Sequence, residues 1–277
     1  MPDRLALPVP DATGTTPDGT AWSRFGSGEP MVLIHGVGMQ QAFWAPQVND
    51  FADRFTVVTY DMWGHGATPP KATATNLEAF AAQLETLLDH LGLGSAHVVG
   101  HSLGALVALE FAATRTQRVR TLTCLNAVYQ RTDDQRAPVV RRAEALARDG
   151  RMDIDTTLLR WFGQPGQHPY PGAEVLSRRL LESIDAAGYA TAYMTFATAD
   201  QSRALVASLP MPAVFATGDG DPNSTPEMSE QLAHDAAHGR AVVVPDARHM
   251  MSLTHPDVIG RILVDSVGSQ DPRRSAP

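Results

Sequence analysis

Short apolar runs rich in Val, Ile and Leu recur along this chain at Met31–Ile34, Phe55–Tyr60, Ala96–Val99, Thr121–Leu125, Ala213–Ala216 and Ala241–Val244. Each has the length and residue type of a strand buried on both faces, as in a parallel sheet. Longer stretches of helical period lie between several of them. Asn76–Leu91 carries apolar residues at Leu77, Phe80, Ala81, Leu84, Leu87, Leu88 and Leu91, with Asn76 as N-cap and Gly92 just past the end. Gln41–Phe51, Leu103–Thr114, Pro226–Ala237 and Pro256–Val267 read as helices too. Strand–helix alternation predicts an α/β fold, a mostly parallel sheet flanked by helices. Thr20–Phe25 and the turn after it predict one added strand.

The alternation breaks between residues 130 and 210. Arg136–Arg148, Ile154–Phe162, Ala173–Ile184 and Tyr189–Ala199 are helical, and no strand-like run separates them. The expected organisation is therefore a core of residues 1–129 and 211–277, with residues 130–210 inserted as a helical cap over one end of the sheet.

Composition narrows the partners. With 43% hydrophobic and 19% charged residues, the 277-residue chain reads as globular rather than disordered. The net charge of -8, without a basic block, argues against nucleic acid. No apolar run approaches the roughly 20 residues that span a bilayer, so no membrane association is expected. Met1–Gly19 lacks the basic-then-apolar pattern of a signal peptide, and Cys124 is the only thiol; together these favour the cytoplasm. Asp271–Pro277 reads as a frayed tail. The oligomeric state is not readable.

The strongest chemical signal is Gly100-His-Ser-Leu-Gly104, a Gly-x-Ser-x-Gly elbow after a strand and before a helix. Such a turn lifts Ser102 above the sheet at a helix N-terminus, where partial positive charge favours a developing anion. A serine needs a base. Of ten histidines, His249 follows the last strand through a short loop, where strand gives way to helix. His255, the rival, precedes Pro256 and starts the last helix, while His101 beside Ser102 is expected to point away from it. The base needs an acid to hold its tautomer. Asp219 and Asp221 both stand after the strand Ala213–Ala216, and spacing alone does not choose between them. The backbone amides of Leu103 and of Val37, in His35-Gly-Val-Gly38, are the candidate donors to an oxyanion.

Taken together, His35-Gly-Val-Gly38, Asp61-Met-Trp-Gly-His-Gly66, Gly100-His-Ser-Leu-Gly104, Gly218-Asp-Gly-Asp221 and Arg248-His249 resemble the α/β-hydrolase fold superfamily, in its cap-bearing branch. The likeness runs from about Thr20 to Val267. It implies that the acid is Asp221, three positions after the glycine that ends its strand. It also implies that the Asp61 to Gly66 segment is a structural turn without a catalytic role. Within the superfamily the chain resembles 3-oxoadipate enol-lactonases, the carbon–carbon hydrolases of ring-cleavage pathways and hydrolases of ring-opened amide intermediates.

The expected function is a serine hydrolase with a Ser102–His249–Asp221 triad, cleaving a small ester, lactone or related acyl compound. Carbon–carbon cleavage, amide cleavage in a small carboxylated intermediate, and a ligand receptor on the same fold with little turnover stand as alternatives. Met39, Trp44, Tyr129, Trp161, Tyr193 and Met250 are the candidate pocket residues, and Arg131 and Arg160 are arginines that could meet a substrate carboxylate. No cofactor is expected. No metal is expected either, since His249 and His255 stand six apart without a third ligand.

Overall fold

In a computed structural model of the chain, residues 4–150, 152–164 and 170–268 are described. The terminal tail read at Asp271–Pro277 lies outside them. The described strands are β1 (Ala12–Thr15), β2 (Ala21–Phe25), β3 (Glu29–Ile34), β4 (Phe55–Tyr60), β5 (Ala96–His101), β6 (Val119–Leu125), β7 (Ala213–Gly218) and β8 (Gly239–Val244). They form one sheet in the order β1-β2-β4-β3-β5-β6-β7-β8. β2 is antiparallel to both of its neighbours, β1 and β4, and all pairings from β4 across to β8 are parallel.

The helices follow from what must cover that sheet. α1 (Ala45–Phe51), preceded by a 3-10 turn over Gln41–Trp44, joins β3 to β4. α2 (Leu77–His90) lies between β4 and β5, and its apolar stripe is buried. α3 (Leu103–Thr114) joins β5 to β6. It is apolar on every side because it is buried on every side, from Leu103 to Leu109 and again at Phe111 and Ala112. α4 (Asp133–Asp149), α5 (Ile154–Phe162), α6 (Pro171–Glu182), α7 (Ala186–Thr198) and α8 (Arg203–Ala207) all lie between β6 and β7. α9 (Pro226–Asp235) joins β7 to β8, and α10 (Met251–Thr254) and α11 (Pro256–Gly268) end the described chain. Among the described residues no helix is long and apolar enough to cross a membrane.

The chain leaves β3 for β4 on one side and leaves β5 for β6 on the other, so the strand order reverses between β3 and β5. The crevice beyond the carboxyl ends of β3 and β5 is where open α/β sheets hold their ligands. The glycines of the elbow are needed for close approach. A Cβ on Gly104 would stand 2.2 Å from the carbonyl oxygen of Ile34, and one on Gly100 would stand 2.1 Å from that of Gly104. Both obstacles are backbone. Gly104→Ala is therefore expected to cost about 3 kcal/mol of stability, because α3 must retreat from β3. Urea unfolding of the variant measures it; a loss below about 1 kcal/mol would mean the helix relaxes freely.

Candidate active site

Ser102 follows β5 and precedes α3 at φ 55, ψ -117, a conformation rare for a side chain with a Cβ. Its amide donates to the Leu125 carbonyl at 2.9 Å, which ties the turn to β6. Asp221 follows β7, and His249 follows β8. Their parallel strands bring all three residues to one edge of the sheet. His249 Nε2 lies 3.2 Å from Ser102 Oγ, and His249 Nδ1 lies 2.7 Å from Asp221 Oδ2. Ser102, His249 and Asp221 are 4%, 4% and 3% exposed, so water screens these contacts little. Asp219, the other acid considered, is exposed; its amide caps the end of β8 by donating to the Val244 carbonyl at 3.1 Å.

Asp221 is the hub of a hydrogen-bonded net. Its Oδ2 also accepts from Asn126 Nδ2 at 2.8 Å and from Ser224 Oγ at 2.5 Å, and its Oδ1 accepts from the Asn223 amide at 2.8 Å. Burial pushes the carboxyl up. The charge of His249 and the bonds from His249, Ser224 and Asn223 more than offset that, and hold it at about 2. A carboxylate so held accepts Nδ1–H of His249, which leaves Nε2 with its lone pair toward the serine hydroxyl.

His101 does more than sequence adjacency implies. Its Nε2–H donates to the His249 carbonyl at 2.8 Å, and the two rings lie 5.0 Å apart. Burial pushes it down to about 3, so it is a neutral prop beneath His249. The Asp61 to Gly66 turn is also scaffolding. Asp61 accepts from the amides of Gln41 at 2.9 Å and Ala67 at 3.0 Å. His65, pushed down to about 3 mainly by burial, accepts the Gly38 amide at Nε2 at 3.1 Å. That bond orients the loop carrying Val37. The loop lies close against the elbow, since a Cβ on Gly36 would come within 3.1 Å of Ser102 Cβ.

A cavity opens above Ser102 and His249. Of the candidate pocket residues, Trp161 and Tyr193 line it, together with Arg160 and with Val37, the candidate oxyanion donor. Trp161 stacks over His249 at 6.1 Å, and Tyr193 lies parallel to Tyr189 at 5.7 Å. Four expected pocket residues are not brought there. Met39, Trp44 and Met250 are at most 1% exposed and packed into the hydrophobic core. Tyr129 turns its hydroxyl to Asp235 at 2.8 Å, on α9. Arg131 is likewise spent elsewhere: its Nη2 donates to the carbonyls of Phe196, Ala197 and Ala199, closing the end of α7. His255 bonds to Thr254 Oγ1 at 2.8 Å as α11 begins.

Sequence reasoning missed Arg142, Thr157, Tyr189 and Asn223 as cavity residues. Asn223 and Ser224 were within reach, standing two and three residues after Asp221. Nothing in the pattern of α4 singles out Arg142 among its neighbouring arginines.

The family model for the α/β hydrolase fold matches residues 29–148. Over 239 residues the chain is 41% identical to the (E)-2-((N-methylformamido)methylene)succinate hydrolase of Acinetobacter baylyi, covering 86% of this chain and 90% of that one. It is 28% identical over 230 residues to 3-oxoadipate enol-lactonase 1 of the same species, covering 82% and 84%. Among solved structures, a thermophilic esterase from Thermogutta terrifontis, with malate bound, aligns at a TM-score of 0.82 and 26% identity, over 92% of this chain and 96% of that one.

Proposed function

The chain belongs to the α/β hydrolase fold family, and from that premise we propose that it is a serine hydrolase that cleaves an acyl bond in a small molecule through an acyl-enzyme. The observation that carries the reading is the unbroken hydrogen-bond chain from Ser102 Oγ through His249 to Asp221. Ser102 Oγ attacks the acyl carbon while His249 Nε2 takes its proton. Asp221 holds the Nδ1–H tautomer and stabilises the imidazolium that forms. The amides of Val37 and Leu103 donate to the oxyanion. His249 then returns the proton to the leaving group, and water, activated by the same imidazole, releases the acid and restores Ser102.

Amide, ester and lactone substrates all fit this sequence of steps. Among them the amide comes forward, because the relative at 41% identity is a hydrolase of an N-methylformamido compound. In this reading the helices between β6 and β7 are the cap that closes the cavity. Trp161 and the Tyr189–Tyr193 pair exclude water from the reacting atoms.

Covalent labelling with a small neutral serine-directed phosphonate, followed by peptide mapping, tests the reading. Label is expected on Ser102 alone and is expected to vanish in His249→Ala. A probe that enters the cavity and leaves Ser102 unmodified would sink the hydrolase and turn attention to a ligand receptor on this fold.

A further inference from the structure

One peptide unit joins the turn of the nucleophile to the strand of the acid. The carbonyl of Leu125, which ends β6, accepts the Ser102 amide at 2.9 Å. The N–H of the same peptide, on Asn126, donates to the Ala216 carbonyl of β7 at 2.8 Å. Asn126 is fully buried and stands at φ 56, in the left-handed region. Its side chain reaches Asp221: Nδ2 lies 2.8 Å from Asp221 Oδ2 and 3.4 Å from Thr217 Oγ1. The Thr217 hydroxyl donates its proton to the Ser224 carbonyl at 2.6 Å, so toward Asn126 it can only accept. Both neighbours of the Asn126 amide end are acceptors, which fixes that end as the nitrogen.

Asn126 carries two local costs. A left-handed backbone on a residue with a Cβ is strained, and Asn126 Oδ1 is buried without a hydrogen-bond partner among the described residues. A glycine would be free of both. What a glycine would lack is the donor to Asp221. Of the three donors on Asp221 Oδ2, the Ser224 hydroxyl can turn round and accept, and His249 gains and loses charge in the proposed reaction. The Asn126 amide nitrogen only donates and stays neutral throughout.

We propose that Asn126 is a positioning residue of the triad, whose side-chain amide holds Asp221 Oδ2 toward His249 Nδ1 and takes up part of the carboxylate's charge. This role rests on the serine-hydrolase reading. It tunes the base as well as placing the acid. While the amide donates, less negative charge faces the imidazole. Without it the carboxylate is richer in charge, which favours the imidazolium, and the neutral base is reached only at higher pH. Asn126→Gly deletes the donor and relieves the backbone. Asn126→Asp keeps the shape, and Asp tolerates the left-handed region as Asn does. It sets a second carboxyl beside the first; the pair shares one proton and, on losing it, presses a second charge on His249. The other titratable groups around His249 are His101 at the end of β5 and, across the cavity, Arg142, Arg160, Tyr189 and Tyr193. Neither substitution alters them.

The rate at which the small neutral phosphonate labels Ser102, followed against pH on the full chain, reads the base without a natural substrate. In the wild type the rate is expected to climb with pH to a plateau as His249 becomes neutral. In Asn126→Gly the climb is expected at higher pH, with a plateau about tenfold lower, the loss of one hydrogen bond to a charged group. In Asn126→Asp the climb is expected about one pH unit or more above that of the wild type. Thermal unfolding checks that each variant is folded. Rates lowered by one factor at every pH, with the climb unmoved, would make Asn126 merely structural and overturn the inference. Wild-type rates in both variants would overturn it too. Should the aspartate variant not fold, the position of the climb in the glycine variant decides alone. No labelling of wild-type Ser102 at any pH would remove the serine hydrolase, and the role of Asn126 with it. Labelling in the wild type, with the climb unmoved in the variants, would remove the role of Asn126 alone.

Discussion

Replacing Ser102 with alanine is expected to lower kcat by about 10⁵-fold, with the thermal unfolding curve unchanged. The size follows from the geometry. Ser102 Oγ is the group that His249 Nε2 faces at 3.2 Å, in a site only a few per cent exposed. Without it the imidazole has no hydroxyl to deprotonate, and what remains is the contribution of the amide donors and of binding. Turnover of the natural substrate measures the effect. A variant retaining more than about a tenth of wild-type activity would mean that His249 activates water directly and that no acyl-enzyme forms.

Asp221→Asn is expected to reduce kcat by about 10⁴-fold, and Asp219→Asn by less than about threefold. Asp221 Oδ2 accepts three hydrogen bonds, from His249, Asn126 and Ser224. An asparagine amide at that position sets a donor against donors, or presents its single oxygen and loses the charge that stabilises the imidazolium. Either way the tautomer with Nδ1–H is no longer favoured. Asp219 is exposed and bonds through its backbone to Val244, so its charge is screened by solvent. Steady-state kinetics of the two variants against one substrate decide the assignment, and the opposite order of effects would move the acid to Asp219. Because the Asp221 carboxyl is held at about 2, it stays ionised at any pH a rate assay uses. An acid limb of the wild-type rate profile above pH about 4 is therefore not expected to come from this residue.

The sheet was legible where burial is two-sided. β3 to β7 are apolar and largely buried, β8 at the sheet edge is only half-buried, and the runs that predict all six fall inside the observed strands. β1 was not, because Ala12–Thr15 lies at the sheet edge, pairs only with β2 and alternates between half-buried and exposed. α8 and α10, five and four residues long, are too short to show a period. The elbow, the late histidine and the acid were legible as residue types at strand ends. Which acid faces His249 was not settled by spacing, since Asp219 and Asp221 share the same loop; the resemblance picked Asp221. Pocket residues were the least legible. An aromatic or methionine on a helix looks the same whether it faces the core, as Trp44 and Met39 do, or a cavity, as Trp161 does. A buried tyrosine also goes where its hydroxyl finds a partner, which for Tyr129 is Asp235. Arg142 left no trace because an arginine in an arginine-rich helix reads as solvated until its partners are known.

The helices from α4 to α8 leave the core after β6 and return at β7, two strands that lie side by side. Ser102, Asp221 and His249 come from outside that excursion, whereas Trp161, Tyr189 and Tyr193, which line the cavity, come from within it. In the reading proposed above, the reacting residues come from the stretches on either side of this one contiguous excursion, which supplies much of the cavity lining. On that reading, sequence drift in the excursion would reshape the cavity while the strand ends that hold the reacting atoms stay as they are. Exchanging that one stretch is the smallest edit by which the protein's diet could be rewritten.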